Sequence, residues 1–245
     1  MNAVHALLNS HRSIRKFTDQ KITEEMLSEI VCAAQSAATS SFLQGATVIR
    51  VRNPESRKKL ASYAGNQTYV ETAAEFLVFC ADLKRPGNCC KQYDKPFAGD
   101  YTEHFIIATV DVALMAQNLV IAAEAAGLGI CYIGGIRNNP RDVSDLLELP
   151  KGVYPVFGLC LGYPDQNPEC KPRLPMKVIL KDEVYSEQGD AELIAAYDEQ
   201  VREYYRQRTG GGHGICWSEQ VATLLSEKAR PHMRDFLAEQ GFTMR

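Results

Sequence analysis

The stretch Glu103 to Ala126, EHFIIATVDVALMAQNLVIAAEAA, decides the fold. It is apolar on nearly every face, which predicts a long helix buried all round, either within a core or between subunits. A membrane span is the rival reading. Asp111, Gln117, Asn118 and Glu124 argue against it, because each would be costly in hydrocarbon. The helix therefore needs a sheet or a partner around it, and the neighbouring segments offer one. Phe76 to Ala81 (FLVFCA) is too continuously apolar for a half-exposed strand and reads as a central one. Val153 to Leu161 reads as a second buried strand, Thr47 to Val51 alternates, and Ile130 to Ile133 is a short strand running into Gly134-Gly135.

Helices fill the intervals. Thr23 is a plausible N-cap before Glu24 and Glu25, and the periodic Met26, Leu27, Ile30, Val31, Ala34 carries that helix to about Ala38. Pro54 opens another through Ser62, and Asn139 caps one with Pro140 in its first turn. Lys84 to Gly99 is polar and interrupted by Pro86, Gly87 and Pro96, which predicts a mobile loop and candidate lid. A short strand is expected at Val178 to Leu180. Helices follow at Ala191 to Arg206 and at Trp217 to Gln240, the second broken by Pro231. The result is one α+β domain with a helical C-terminal extension.

With 245 residues, 45% of them hydrophobic, the chain can bury a large core. A net charge of −3 with interspersed signs argues against a nucleic-acid surface and leaves small molecules as the expected partners. The eight cysteines form no CxxC pair and no Cys/His spacing that suits zinc. With no secretory leader evident, they point to a reduced, cytoplasmic protein. Cys89 and Cys90 are adjacent, and their role stays open.

No GxSxG, HExxH, Walker or GxGxxG signature is present, so neither a hydrolase nor a Rossmann dinucleotide domain is expected. What remains is a dispersed set of anion- and ring-binding elements. His11-Arg12-Ser13-Ile14-Arg15-Lys16 crowds cations where a fold gains little from them, and the planar forks of Arg12 and Arg15 suit phosphate oxygens. Thr39-Ser40-Ser41, Gln67, Tyr132 to Gly135 and Lys171-Pro172-Arg173 complete the set.

His-Arg-Ser-Ile-Arg at 11 to 15, Ser-Ser-Phe-Leu-Gln at 40 to 44, Tyr-Ile-Gly-Gly at 132 to 135, Arg-Asn-Asn at 137 to 139, Phe-Gly-Leu-Cys-Leu-Gly at 157 to 162 and Lys-Pro-Arg-Leu-Pro at 171 to 175 occur in one order. In that combination the chain resembles the oxygen-insensitive NADPH nitroreductase and NADPH-flavin oxidoreductase group of the nitroreductase family. The resemblance implies a mostly antiparallel sheet surrounded by helices, in an interlocked homodimer with one tightly bound FMN per subunit. It implies a flavin-binding core at 1–175, and an extension at 176–245 that wraps the partner subunit and contributes to NADPH binding.

Residue by residue, it assigns FMN contacts to His11, Arg12, Ser13, Arg15, Thr39, Ser40, Ser41, Gln67, Tyr132, Ile133, Gly134, Gly135, Lys171 and Arg173. Ser41 and Phe42 would line the substrate pocket, and Arg208 and Arg230 would bind NADPH. The loop 210–214, Gly-Gly-Gly-His-Gly, stands where close relatives carry more arginines, which leaves the strictness of NADPH over NADH open; His213 could add a cation at lower pH. The implied activity is two-electron, ping-pong reduction of nitroaromatics, quinones or free flavin by NADPH. The chemistry is carried by FMN, with no catalytic side chain and no metal. A supplier of free reduced flavin, or a flavin-binding protein with little turnover, are the alternatives.

Overall fold

A computed structural model describes residues 2–208, 214–227 and 229–245. They divide into two compact units: one runs through Asn167 and takes up His232–Arg245 again, and the other is Pro168–Pro231.

The first unit is organised by four strands, β1 (Ala46–Arg50), β2 (Glu75–Asp82), β3 (Gly129–Ile133) and β4 (Val153–Gly162), in the order β1-β2-β4-β3 with every pairing antiparallel. All eight residues of β2 are buried, as the unbroken apolar run predicts. Both of its faces are covered. Leu77, Phe79 and Ala81 point into a core shared with α2 (Glu24–Gln35), α6 (Thr102–Ala125) and the returning Phe236, Leu237 and Phe242. Phe76, Val78 and Cys80 point the other way, into a core with Leu60 and Ala61 of α3 (Pro54–Tyr63), Val70 of α4 (Tyr69–Thr72) and Val143 of α7 (Pro140–Leu146). Between the pairs Phe79 to Phe157 and Cys80 to Pro155 the register skips Val156, a bulge beside a proline that has no N–H to give the ladder.

Within one chain, helix α6 is buried on one side only, so the core alone does not enclose it as one of the two expected settings would. Ala108, Asp111, Val112, Ala116, Leu119, Val120 and Ala123 are buried, but Ile106, Val110 and Leu114 are 48%, 48% and 44% exposed. These three recur every fourth residue and so form one apolar stripe, because residues four apart share a helix face. By length and composition α6 could cross a bilayer, yet its other face is packed on the sheet.

Other boundaries also shift. Helix α2 is capped by Thr23, whose hydroxyl accepts from the Met26 N–H at 3.2 Å, but it ends at Gln35, short of Ala38. The expected loop at 84–99 begins with a helix, α5 (Lys84–Gln92): Pro86 lies in its first turn, where a missing N–H costs nothing, and only the remainder is irregular. Asn139 stands at the N-cap of α7 without capping it, since its amide donates instead to the Tyr63 carbonyl at 2.8 Å.

The second unit holds α8 (Met176–Ile179), α9 (Asp190–Arg208) and α10 (Trp217–Ser226). The strand expected at Val178 to Leu180 is therefore mostly helical; β-branched residues alone did not outweigh the turn opened by Pro175. Tyr197, Val201, Tyr204 and Cys216 are buried here, and Tyr197 meets Trp217 edge-on at 6.0 Å. The last helix, α11 (Met233–Glu239), belongs to the first unit, and Gly152 N–H donates to the Gln240 carbonyl at 2.7 Å. Cys80, Cys131, Cys160 and Cys216 are buried free thiols.

Candidate functional site

The cationic segment at 11–17 is an extended ribbon along the outer edge of β3. Ile14 N–H donates to the Ile130 carbonyl at 2.8 Å, Ser13 bridges Ile130 in parallel, and Phe17 bridges Pro164. Ile14 is buried while Arg15 and Lys16 are exposed, so one apolar anchor turns two cations outward. The anchor depends on Gly129, because a Cβ there would stand 2.6 Å from Ile14 Cγ1.

The Arg15 guanidinium lies near Tyr69, whose hydroxyl donates to Gln67 Oε1 at 2.8 Å. Burial pushes the Tyr69 phenol up and the nearby Cys131 thiol adds to this, whereas Arg15 pulls it partly back. The Gln67 amide nitrogen donates to the Ala64 carbonyl at 2.9 Å, which fixes which end of the amide faces Tyr69. Gly135 closes this corner: a Cβ would lie 2.4 Å from the Ala64 oxygen and 2.9 Å from Gln67 Nε2. Arg15, Gln67 and Gly135, expected from three separate stretches, thus share one neighbourhood, and Tyr69 is the residue that sequence reasoning missed. Its only signal was a position two residues beyond Gln67.

Tyr132, Ile133 and Gly134 lead out of β3 into a 3₁₀ turn at Gly134–Asn138. Tyr132 meets Phe157 edge-on at 5.0 Å, and with Ala113, Gln117, Gly134 and Arg137 the pair lines a cavity of about 380 Å³. Burial, with the Glu124 carboxylate adding to it, holds the Tyr132 phenol up at about 12. Glu124 also takes His11, whose Nδ1 lies 2.6 Å from its Oε1. Arg12 lines a separate cavity of about 570 Å³ with Ser10, Ile14, Glu124 and Asp165.

The hydroxyl-rich turn has an unusual backbone. Ser41, Phe42 and Gln44 all take positive φ, at 49°, 58° and 54°, and Phe42 is 81% exposed at its tip. The Thr39 hydroxyl oxygen is buried with no hydrogen-bond partner among the described residues. Buried hydroxyls are nearly always paired, so Thr39 has bonding capacity to offer a ligand or solvent.

The remaining assigned residues lie in the second unit. Lys171 Nζ donates to the Tyr205 hydroxyl at 2.7 Å, Arg173 to the Lys171 carbonyl at 2.6 Å, and Arg208 to the Tyr204 hydroxyl at 2.9 Å. Arg230 sits at a positive φ of 53°. His213 and the glycines 210–212 fall outside the described residues.

Residues 8–163 match the model of the nitroreductase family and residues 171–245 that of the nitroreductase family C-terminal domain. Among curated relatives, the chain is 43% identical to the NADPH-flavin oxidoreductase of Vibrio harveyi, over 100% of this chain and 99% of that one. It is 42% identical to the oxygen-insensitive NADPH nitroreductase of Salmonella typhimurium, covering all of both chains. Among solved structures, NfrA1 of B. megaterium superposes with a TM-score of 0.95 at 43% identity, over 98% of this chain and 99% of that one.

Proposed function

Because the chain belongs to the nitroreductase family, we propose that it is an FMN-dependent NADPH oxidoreductase that reduces nitroaromatics, quinones and free flavin in two-electron, ping-pong fashion. The observation that carries this reading is the gathering of Arg15, Tyr69 and Gln67 in one corner, Tyr69 bonded to the Gln67 amide and Gly135 against the same amide. Such a corner offers a fixed cation, an oriented carboxamide and bare backbone at one place, a donor set that suits the polar edge of a flavin and has no other evident use. The orphaned Thr39 hydroxyl is a further group that a ligand would satisfy.

When bound, FMN supplies the hydride chemistry; the chain supplies binding and orientation. Arg15, a permanent cation near Tyr69, would stabilise the negative charge of a reduced flavin. The family likeness gives His11, Arg12, Ser13, Lys171 and Arg173 to the phosphate and ribityl chain, and Tyr132 to Gly135 to the ring. Ser40 joins Thr39 and Ser41 at the flavin, Ser41 and Phe42 face the acceptor, and Arg208 and Arg230 receive NADPH.

The apolar stripe of Ile106, Val110 and Leu114 supports a homodimer, since a second copy would bury side chains that one chain leaves in water. The core at 1–175 and a partner-wrapping extension at 176–245 belong to the same proposal, the wrapping being left to the part before His232 because the rest packs in the first unit. Free thiols at Cys80, Cys131, Cys160 and Cys216 favour a reduced, cytoplasmic setting.

An absorbance spectrum of the purified protein, followed by anaerobic titration with NADPH and then NADH, tests the reading. The expected outcome is a flavin spectrum bleached stoichiometrically by NADPH. Protein that stays colourless after incubation with FMN would overturn it. A yellow protein that NADPH does not bleach would favour a flavin carrier instead.

A further inference from the structure

Asp111 is the acid in the middle of α6, and it is 1% exposed. A carboxylate so deeply buried must be hydrogen-bonded or paired. Its partners are two backbone groups: Oδ1 accepts from the Ser40 N–H and Oδ2 from the Gly45 N–H, each at 3.0 Å. These are the two ends of the turn that contains the positive-φ residues Ser41, Phe42 and Gln44. Non-glycine residues in that region are strained and persist only where their surroundings over-determine them. The turn's own bonds are few, Leu43 N–H to the Ser40 carbonyl at 2.9 Å and Phe42 N–H to the Thr39 carbonyl at 3.4 Å. From outside, Arg85 reaches the Gln44 and Ala46 carbonyls, both at 3.3 Å. Leu43 packs toward the core while Phe42 points away from it, so the held turn presents its tip outward.

We propose that Asp111 is a positioning residue, whose carboxylate clamps both ends of the Ser40–Gly45 turn and so sets where Ser41 and Phe42 meet the electron acceptor. The clamp itself rests on geometry alone; its effect on the acceptor rests on the function proposed above. Gly45 suits the arrangement, since its N–H reaches Asp111 while its α-carbon lies against Ala108, where a Cβ would come within 3.3 Å of backbone.

Hydrogen exchange of the wild-type protein gives the first test. The Ser40 and Gly45 amides should exchange at least about tenfold more slowly than that of Ser41 between them, and equal rates would overturn the clamp. The second test is Asp111→Asn, which keeps the shape but turns an NH₂ toward one of the two donors. Exchange at Ser40 and Gly45 should quicken while β2 and β4 stay protected. KM for a nitroaromatic acceptor should rise about tenfold or more, the loss expected of a charge-assisted bond, with kcat within about twofold. A variant that melts earlier but keeps the wild-type acceptor KM would reduce Asp111 to a structural anchor and overturn the proposal. If the wild type binds no flavin, the functional reading fails separately, because the exchange experiment needs none.

Discussion

Tyr69 stands beside Gln67, donating to its carboxamide oxygen at 2.8 Å, with the Arg15 guanidinium near the same phenol. One phenol thereby fixes an amide delivered by the turn before α4 and sits close to a cation delivered by the β3-edge ribbon.

Tyr69→Phe should loosen the Gln67 amide without opening a cavity. Losing a neutral hydrogen bond of about 1 kcal/mol predicts roughly a fivefold weaker FMN Kd, and Arg15→Ala roughly ten- to a hundredfold. Fluorescence titration of the apoprotein with FMN measures both; an unchanged Kd in Arg15→Ala would remove this corner from the flavin site.

Gly135→Ala should be far more damaging than its single methyl suggests. The added Cβ meets the Ala64 carbonyl, which is backbone and cannot swing aside, so a stability loss of about 1 to 3 kcal/mol is expected together with weak flavin retention. Urea unfolding followed by circular dichroism, beside a flavin-to-protein absorbance ratio, reports the two effects.

Arg208→Ala bears on the nicotinamide donor. Its guanidinium is steadied by Tyr204, and a lost charge-assisted contact to a 2′-phosphate should raise KM for NADPH about ten- to a hundredfold while leaving NADH nearly unaffected. Steady-state kinetics with both donors decide it, and parallel losses would argue against phosphate recognition there.

Alkaline pH should unfold the protein early. Burial lifts Tyr132, Tyr154 and Cys80 to about 12, and Cys160 well above its ordinary value. Each is held neutral in the fold but ionises near its ordinary value once unfolded, 9.0 for the thiols and 10.0 for the phenols. The stability these groups contribute is thus complete below about pH 9 and lost as pH climbs toward 12. Urea midpoints measured across that window should fall steadily, and a flat profile would contradict the burial.

Leu114→Asp places a charge on the exposed stripe of α6 and should leave the monomer folded, since the side chain already meets water. In the proposed dimer, association should weaken, with Kd raised at least about a hundredfold, the usual consequence of burying an unpaired charge. Sedimentation equilibrium of both proteins gives the comparison.

The elements that sequence reading found are those whose chemistry is local. Phe76 to Ala81 is apolar because both faces of β2 are covered, and Thr23 caps α2 because a hydroxyl precedes two glutamates. What escaped it depends on context beyond residue type. Pro86 resembles a helix breaker until it is seen to occupy a first turn, and Val178 to Leu180 reads as strand from its β-branched residues although Pro175 opens a helical turn there. The site divides in the same way. Arg15, Gln67 and Gly135 were legible as motif residues, whereas Tyr69 and Asp111 act by what they touch across the fold. Asp111 was visible only as an oddity in an apolar helix, and a lone buried acid is itself a signal that some backbone must be answering it.

The ribbon at 11–17 also has a bearing on how copies of this chain avoid sticking to one another. Sheets left open at the side invite foreign strands, and β3 would be such a side if Ser13 and Ile14 did not lie against Ile130. With Arg15 and Lys16 facing outward, that border is both occupied and charged, a poor template for amyloid-like growth.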